Sequence, residues 1–209
     1  MPVEIKICGL TNRDDALHAL EMGADYLGFI LYADSPRGIT ARKLSEILDR
    51  SEEITNAVGV FVNSSAEDVR AIAGDCALRG VQLHGDEDAD AFSDGTVPLW
   101  RAVRLREGKC LPATELWDVD RFLVDADVPG QYGGTGQLAD WEAASELAMK
   151  HRVMLSGGLT AETVEEAVRQ VRPLGVDVSS GVETSPGKKD RNQVRAFIEV
   201  AKRAVPDDH

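Results

Sequence analysis

Short apolar runs of strand type alternate with stretches of helical spacing along the whole chain, and this alternation restricts the fold more than any other feature. Eight such runs predict strands at residues 3–8, 26–31, 57–62, 80–84, 98–103, 122–126, 153–156 and 176–179. A strand that returns through a helix lies parallel to its predecessor, so the sheet is expected to be mainly parallel. Eight units of this kind in 209 residues predict one (β/α)8 barrel domain spanning residues 1–209.

Helical spacing fits between the strands at residues 13–22, 41–50, 66–74, 86–93, 141–150, 161–170 and 190–205. Four of these helices are preceded by residues that predict N-caps: Thr11, Thr40, Ser65 and Thr160. Gly23 and Gly74 lie at the far ends of two helices and predict left-handed C-caps. The stretch 111–119 is a poor helix and predicts a loop or a single turn.

A doubly wound open sheet is the alternative architecture for alternating strands and helices. The turn after the first strand counts against it, because that turn reads CGLTN rather than the GxGxxG of a dinucleotide-binding fold. We therefore expect a barrel.

Charge and apolar patterning exclude several function classes. The chain has 23 Lys and Arg against 36 Asp and Glu, a net charge of −13, which disfavours a nucleic-acid partner. No apolar run approaches the ~20 residues that span a bilayer, and the first residues lack the basic and apolar regions of an export signal. We expect a cytoplasmic protein with no membrane partner, and no pattern indicates an obligate protein partner.

Glycine-rich turns follow the sixth, seventh and eighth predicted strands. They contain Gly133, Gly134, Gly136, Gly157, Gly158, Ser180 and Gly181. Successive backbone N–H groups in such turns, with a helix N-terminus behind them, form a concave positive site that suits a phosphate. The same residues could serve only to make tight turns. Because barrels usually bind phosphate after strands seven and eight, we expect a phosphorylated small-molecule substrate.

Cys8 ends the first predicted strand, at the barrel end where active sites lie. A cysteine in such a place is often only a small buried hydrophobe. Strand alternation places Lys6 on the same side, and a nearby ammonium favours the thiolate, so Cys8 is a candidate base or nucleophile. Asp177 is interpreted as an interior partner for Lys6. Cys76 and Cys110 lack such neighbours and are interpreted as packing residues.

Three more polar residues fall at the predicted strand ends. Asp125 ends the sixth strand, where a carboxyl is costly unless it is paired or used, for example to carry a proton. It could instead cap N–H groups of the loop that follows. The guanidinium of Arg37 suits a substrate carboxylate in a two-pronged contact, although a surface position is also open. His84 either braces the barrel mouth or contacts the substrate.

The chain carries nine motifs in order from the first strand to the start of the last helix. They are KICGLT (6–11), SPR (35–37), GVFVN (59–63), QLHG (82–85), VDA (124–126), GGTG (133–136), SGGL (156–159), VDVSSGVE (176–183) and SPGK (185–188). Their combination resembles the phosphoribosylanthranilate isomerase family of tryptophan biosynthesis. Two departures, Gly38 and the segment 139–141, concern the rim of the substrate mouth.

The resemblance implies a (β/α)8 barrel that rearranges N-(5-phosphoribosyl)anthranilate to 1-(o-carboxyphenylamino)-1-deoxyribulose 5-phosphate without a metal or an organic cofactor. It implies that Cys8 is the general base, Asp125 the general acid and Arg37 the contact to the anthranilate part. The loops after strands six to eight would then hold the phosphate. Two alternatives are a sugar-phosphate isomerase of histidine-pathway type and a catalytically silent phosphate-binding barrel. The first is expected to carry an aspartate where this chain has Cys8.

Overall fold

The computed structural model describes residues 3–49, 52–95, 98–106, 109–126 and 139–204. Eight parallel strands form a closed ring, since β8 pairs with β1 and β4 pairs with β5. The strands are β1 (Glu4–Ile7), β2 (Tyr26–Ile30), β3 (Ala57–Phe61), β4 (Gly80–Leu83), β5 (Leu99–Arg106), β6 (Arg121–Asp125), β7 (Val153–Leu155) and β8 (Gly175–Val178). The predicted barrel is confirmed.

In the part of the chain that the structure describes, six α-helices cover the outside of the ring. They are α1 (Arg13–Met22), α2 (Ala41–Leu48), α3 (Ala66–Asp75), α4 (Trp141–Ala148), α5 (Val164–Val171) and α6 (Arg191–Arg203). The poor helix predicted after strand five is a single 3-10 turn, Thr114–Leu116. The helix predicted at 86–93 was wrong, because only the 3-10 turn Ala89–Phe92 forms there. Glu87 in that stretch is engaged elsewhere, because its carboxylate is 2.6 Å from the buried Arg101 guanidinium and accepts from the backbone N–H groups of Asn63 and Gly85. None of the turn's own residues is fully buried, so packing does little to stabilise a longer helix.

The helix caps were predicted in part. Thr40 and Ser65 accept hydrogen bonds from the backbone N–H three residues on, as expected. Asn12 rather than Thr11 caps α1. The Thr11 hydroxyl is engaged elsewhere, because it donates to the carbonyl of Gly187 at 2.6 Å.

Of the other three predicted caps, Gly23 is confirmed, whereas Thr160 and Gly74 are not at the ends of their helices. α5 begins three residues later than the Thr160 cap requires, so that Thr163 is its N-terminal flank. Gly23 closes α1 in the left-handed conformation with φ +98°, as predicted. Gly74 lies inside α3, and the left-handed residue after that helix is Ala77.

Alternation along the strands divides the buried apolar side chains into two sets. A large cluster fills the space between the strands and the helices. A smaller one fills the barrel interior and consists of Val58, Trp100, Ala102, Leu123 and Met154. Within the described ranges no helix combines the length and the apolar character needed to cross a membrane.

Four buried polar side chains come from inward-facing positions near the carboxyl ends of the strands. Lys6, Gln82, Asp125 and Asp177 are each at most 5% exposed. A polar group buried in this way is stable only with a partner, so their contacts define the candidate site.

Candidate active site

Lys6 and Asp177 form a buried ion pair between neighbouring strands. The Lys6 Nζ donates to the Asp177 Oδ1 at 2.9 Å, and the register pairs the two residues directly across β1 and β8. Burial lowers the pKa of the Lys6 ammonium, but the charges of Asp177 and Cys8 raise it more, so the net direction is upward. Lys6 is therefore held as a cation inside the barrel. Its partner is Asp177, as the sequence predicted.

Cys8 is buried beside this pair, with 5% of the residue exposed. Burial raises the pKa of its thiol, the Lys6 ammonium opposes that shift, and the net direction is upward. The expectation that Lys6 favours the thiolate thus holds for the sign of its own contribution. It does not hold for the net pKa shift of the thiol, because the loss of hydration outweighs the effect of one ammonium that is already paired with Asp177.

Gly28 on β2 makes the space that Cys8 and Lys6 occupy. A Cβ at this position would lie 2.8 Å from the Cys8 Sγ and 2.9 Å from the Lys6 Nζ. Both distances are shorter than van der Waals contact, so a larger residue would displace the thiol or the ammonium. Sequence reasoning missed this glycine, because only the register of β2 against β1 shows what it faces.

Asp125 lies at the end of β6 with the His84 ring beside it. The Asp125 Oδ2 is 3.2 Å from the His84 Nε2, while its Oδ1 accepts from the backbone N–H of Ala126 at 2.8 Å. The other ring nitrogen of His84, Nδ1, is 2.9 Å from the Gln82 Nε2. His84 therefore orients the carboxyl. This contact is closer to the predicted bracing role of His84 than to the predicted substrate contact.

Arg37 is buried rather than at the surface, and its guanidinium already has a carboxylate partner. Its Nε donates to the Glu183 Oε1 and Oε2 at 3.0 Å each, and its Nη2 donates to Oε2 at 2.8 Å. Each hydrogen bond from this guanidinium to a described side chain goes to Glu183. The Nε edge that suits a two-pronged substrate contact is thus occupied, and the end that carries Nη1 and the second N–H of Nη2 is the part that can meet a ligand.

A cavity lies between the turns that follow β7 and β8. Its lining consists of Asp125, Ser156, Gly157, Gly158, Leu159, Asp177, Val178, Ser179, Ser180 and Gly181. Gly157 and Gly158 adopt left-handed φ values of +87° and +61°, which only glycine takes without strain. Their backbone, rather than side chains, forms this wall of the cavity. The geometry fits the predicted phosphate site.

The two turns pack against each other through Gly181. A Cβ on Gly181 would overlap the carbonyl oxygen of Leu159 and lie 3.1 Å from its carbonyl carbon. The absence of a side chain at Gly181 therefore fixes the width of the cavity. The other predicted phosphate residues, Gly133, Gly134 and Gly136, lie outside the described residues.

The structure thus brings the predicted acid, the predicted base and the phosphate turns to one end of the barrel. Asp125 and Asp177 line the same cavity, and Asp177 binds the Lys6 ammonium that lies next to Cys8. No group of three or more His, Cys, Asp or Glu side chains in the described ranges is arranged to hold a metal ion.

A family model described as N-(5'phosphoribosyl)anthranilate (PRA) isomerase matches residues 5–200. The chain belongs to this family. It is 45% identical over 204 residues to the N-(5'-phosphoribosyl)anthranilate isomerase of Trichlorobacter lovleyi, with 97% of this chain and 100% of that protein covered. Membership makes the chain an isomerase of tryptophan biosynthesis, as its motifs predicted.

Solved structures of phosphoribosylanthranilate isomerases have the same fold. The enzyme from Thermotoga maritima matches with a TM-score of 0.84 and 35% identity, covering 96% of this chain and 98% of that one. Another phosphoribosylanthranilate isomerase was solved in complex with reduced 1-(o-carboxyphenylamino)-1-deoxyribulose 5-phosphate, and it matches with a TM-score of 0.81 and 34% identity over 96% and 98% of the two chains.

Besides Gly28, sequence reasoning missed three buried polar residues around the candidate site: Gln82, Glu183 and Lys189. All three lie in or next to motifs that were quoted for the resemblance, but their types did not single them out. Lys189 and Glu183 are buried, and their ammonium and carboxylate groups are 2.8 Å apart. The sequence did contain a signal for this ion pair, because a Glu and a Lys six residues apart, next to a predicted substrate loop, are able to pair.

Proposed function

We propose that this chain catalyses the Amadori rearrangement of N-(5-phosphoribosyl)anthranilate with Cys8 as general base and Asp125 as general acid. One observation carries the proposal. A buried thiol flanked by Lys6 and a buried carboxyl oriented by His84 lie at the same barrel end as a cavity with a backbone-built wall. Family membership supports the reaction, and the geometry supports the assignment of these residues.

The reaction starts at the sugar ring. The protonated carboxyl of Asp125 gives its proton to the ring oxygen while the bond between that oxygen and C1' breaks. The lone pair of the anthranilate nitrogen forms a C=N bond to C1', which leaves a cationic Schiff base. His84 and the N–H of Ala126 hold the carboxyl in place for this transfer.

The second step is proton removal from C2'. The Cys8 thiolate takes this proton, and the electron pair of the broken C–H bond forms a C1'–C2' double bond as the nitrogen becomes neutral. The resulting enolamine gains a proton at C1' and loses one from its hydroxyl to give the ketone. Substrate and product are isomers, so protons are conserved, and exchange with solvent returns Cys8 and Asp125 to their starting states.

The two ends of the substrate are held by different parts of the site in this proposal. The turns containing Gly157, Gly158, Ser180 and Gly181 bind the phosphate through backbone N–H groups. The free end of the Arg37 guanidinium binds the anthranilate carboxylate. Because each positioned acid or base supplies ~10²- to 10⁴-fold, the two anchors must provide much of the rest by fixing the sugar between Cys8 and Asp125.

The proposal also includes a cytoplasmic location and a small phosphorylated substrate as the partner, without nucleic acid, membrane or an obligate protein partner. The net charge of −13 supports the exclusion of nucleic acid. A distribution of tagged protein between soluble and membrane fractions tests the location.

Turnover of purified protein tests the assignment. Loss of the anthranilate fluorescence of phosphoribosylanthranilate reports the reaction. Cys8→Ser and Asp125→Asn should each lower kcat by at least about 10²-fold with a nearly unchanged KM, because each removes a group that acts only in the transition state. Cys110→Ser is the matched control, since Cys110 lies on the short strand after β5. Near-normal kcat in either of the first two variants would remove that residue from the mechanism.

A further inference from the structure

Glu183 is a buried carboxylate that joins Arg37 to a second cation. In addition to the contacts from Arg37, its Oε1 accepts from the Lys189 Nζ at 2.8 Å and from the backbone N–H of Gly187 at 3.2 Å. The side chains of Arg37, Glu183 and Lys189 are 9%, 4% and 1% exposed. A buried carboxylate is retained only when its lone pairs are satisfied, and here five hydrogen bonds satisfy them.

We call Arg37, Glu183 and Lys189 the clamp cluster. Its formal charge is +1, because two cations share one carboxylate. Burial lowers the pKa of the Lys189 ammonium, and the charge of Glu183 opposes that shift only in part, so the net direction is downward. With Lys189 protonated, the three side chains leave one unit of positive charge for a ligand, which matches one carboxylate.

The clamp cluster is fixed to the start of the barrel rather than to a free loop. Glu183–Ser185 and Lys188–Lys189 form a short antiparallel hairpin after β8. The backbone N–H of Lys189 donates to the Asp15 Oδ2 at 3.0 Å, and the Thr11 hydroxyl donates to the Gly187 carbonyl at 2.6 Å. The Lys189 Nζ also donates to the carbonyl of Ser179 at 3.1 Å. The hairpin thus connects β8 to the segment that follows Cys8.

Arg37 lies directly over Gly9, the residue after Cys8. A Cβ on Gly9 would be 2.7 Å from the Arg37 Cδ and 2.7 Å from the Ser179 Oγ, and Gly9 has a left-handed φ of +75°. The position of the guanidinium relative to the thiol is therefore set by two contacts. Gly9 supports its methylene stem from below, and Glu183 holds its Nε and Nη2 from the side.

We propose that Glu183 is a positioning residue that aims the free end of the Arg37 guanidinium at the anthranilate carboxylate and limits the clamp cluster to one net positive charge. The inference rests on the proposed function, since it gives Arg37 the carboxylate contact assigned there. Glu183 touches neither the substrate nor the reacting atoms. It acts through Arg37, so its removal affects the recognition of one substrate group.

For Glu183→Gln, the change in the position of the Arg37 guanidinium and the change in the charge of the clamp cluster predict opposite effects on carboxylate binding. This variant raises the cluster charge from +1 to +2, so a purely electrostatic effect would tighten binding of a carboxylate. Loss of the two-pronged hold lets the guanidinium turn away, and binding of the carboxylate then weakens. We expect the second result, with KM raised by about 10-fold and kcat changed less than about 3-fold.

Two ligands separate the effect on the carboxylate from a general loss of structure. The first is reduced 1-(o-carboxyphenylamino)-1-deoxyribulose 5-phosphate, and the second is the same compound without its carboxylate. Glu183→Gln should weaken the first by about 10-fold and the second by less than about 2-fold. Glu4→Gln is the matched control, because Glu4 pairs with Arg121 at the opposite end of the barrel, and this variant should change neither affinity.

The outcomes distinguish this inference from the proposed function. If the wild-type protein binds both ligands equally, the carboxylate contact of Arg37 is wrong. If the wild type prefers the carboxylate and Glu183→Gln keeps that preference, loses both ligands equally or binds the first more tightly, the role of Glu183 is wrong. Should Glu183→Gln fail to fold, Glu183→Asp keeps the charge with a shorter reach, and a selective loss of the carboxylate ligand is again the expected result.

Discussion

Gly181→Ala tests whether a backbone cradle binds the substrate phosphate. The added Cβ would overlap the carbonyl oxygen of Leu159 by more than about 1 Å relative to ordinary contact. The Leu159 oxygen belongs to the backbone and the position of a Cβ is fixed by the backbone that carries it, so no side-chain rotation can relieve the overlap. The turns after β7 and β8 must therefore separate, and the cavity between them must widen.

The expected loss follows from the hydrogen bonds that a wider cavity breaks. A hydrogen bond to a charged group contributes ~1.5–3 kcal/mol, so the loss of one backbone donor to the phosphate weakens binding by about 10- to 100-fold. The KM for phosphoribosylanthranilate and the inhibition constant of inorganic phosphate should rise together, since both ligands share the phosphate contact.

Gly74→Ala provides the matched control for this substitution. Gly74 is exposed inside α3, and a Cβ there would have no neighbour within 4 Å. This variant should keep the wild-type KM and raise the free energy of unfolding by ~0.5–1 kcal/mol, measured by urea denaturation. If Gly181→Ala keeps its KM and its phosphate inhibition within about 2-fold of wild type, the cradle is not the phosphate site.

Three further predictions concern the base Cys8 and its two neighbours, Lys6 and Gly28. Burial raises the pKa of the Cys8 thiol, and the thiolate is the active form, so kcat/KM should increase with pH through the alkaline range. The midpoint of this increase should lie above the ordinary thiol pKa of about 8.5. A flat profile there would contradict the assignment of Cys8 as the base. Lys6→Met removes the ammonium that opposes this shift, so the midpoint should move to higher pH, and a move to lower pH would refute the stated cause. Gly28→Ala should lower kcat by about 10-fold or more, because the added Cβ displaces Cys8 or Lys6. The free energy of unfolding is measured in parallel. An unchanged kcat would show that the site tolerates the displacement.

The fold could be predicted from the sequence because periodicity and topology agree along the whole chain. Strand-type runs recur eight times with crossovers between them, and the parallel ring is the arrangement that buries all of them. Local chemistry failed where a side chain had a better distant partner. Thr11 resembles an N-cap, but its hydroxyl bonds to Gly187, a residue 176 positions away.

The candidate site could be predicted in its residue types and less well in its contacts. Alternation placed Lys6 and Asp177 inside the barrel, and the ion pair follows from that placement. The partner of Arg37 could not be predicted, because the sequence does not reveal that a hairpin after β8 brings Glu183 next to the segment that follows β2. The raised pKa of Cys8 depends on the sum of burial and charge, which only the packed structure supplies.

The buried charges at the barrel mouth explain how an acidic protein can bind an acidic substrate. With a net charge of −13, the protein repels a phosphorylated carboxylate at long range, and salt at physiological strength screens this repulsion beyond ~8 Å. Inside the mouth the Lys6–Asp177 pair cancels to zero, whereas the clamp cluster keeps a charge of +1. Buried charges are screened less, so attraction at the site persists where the surface repulsion is damped. Raising salt from low to physiological strength should therefore increase kcat/KM, and a steady decrease would show that surface charge attracts the substrate instead.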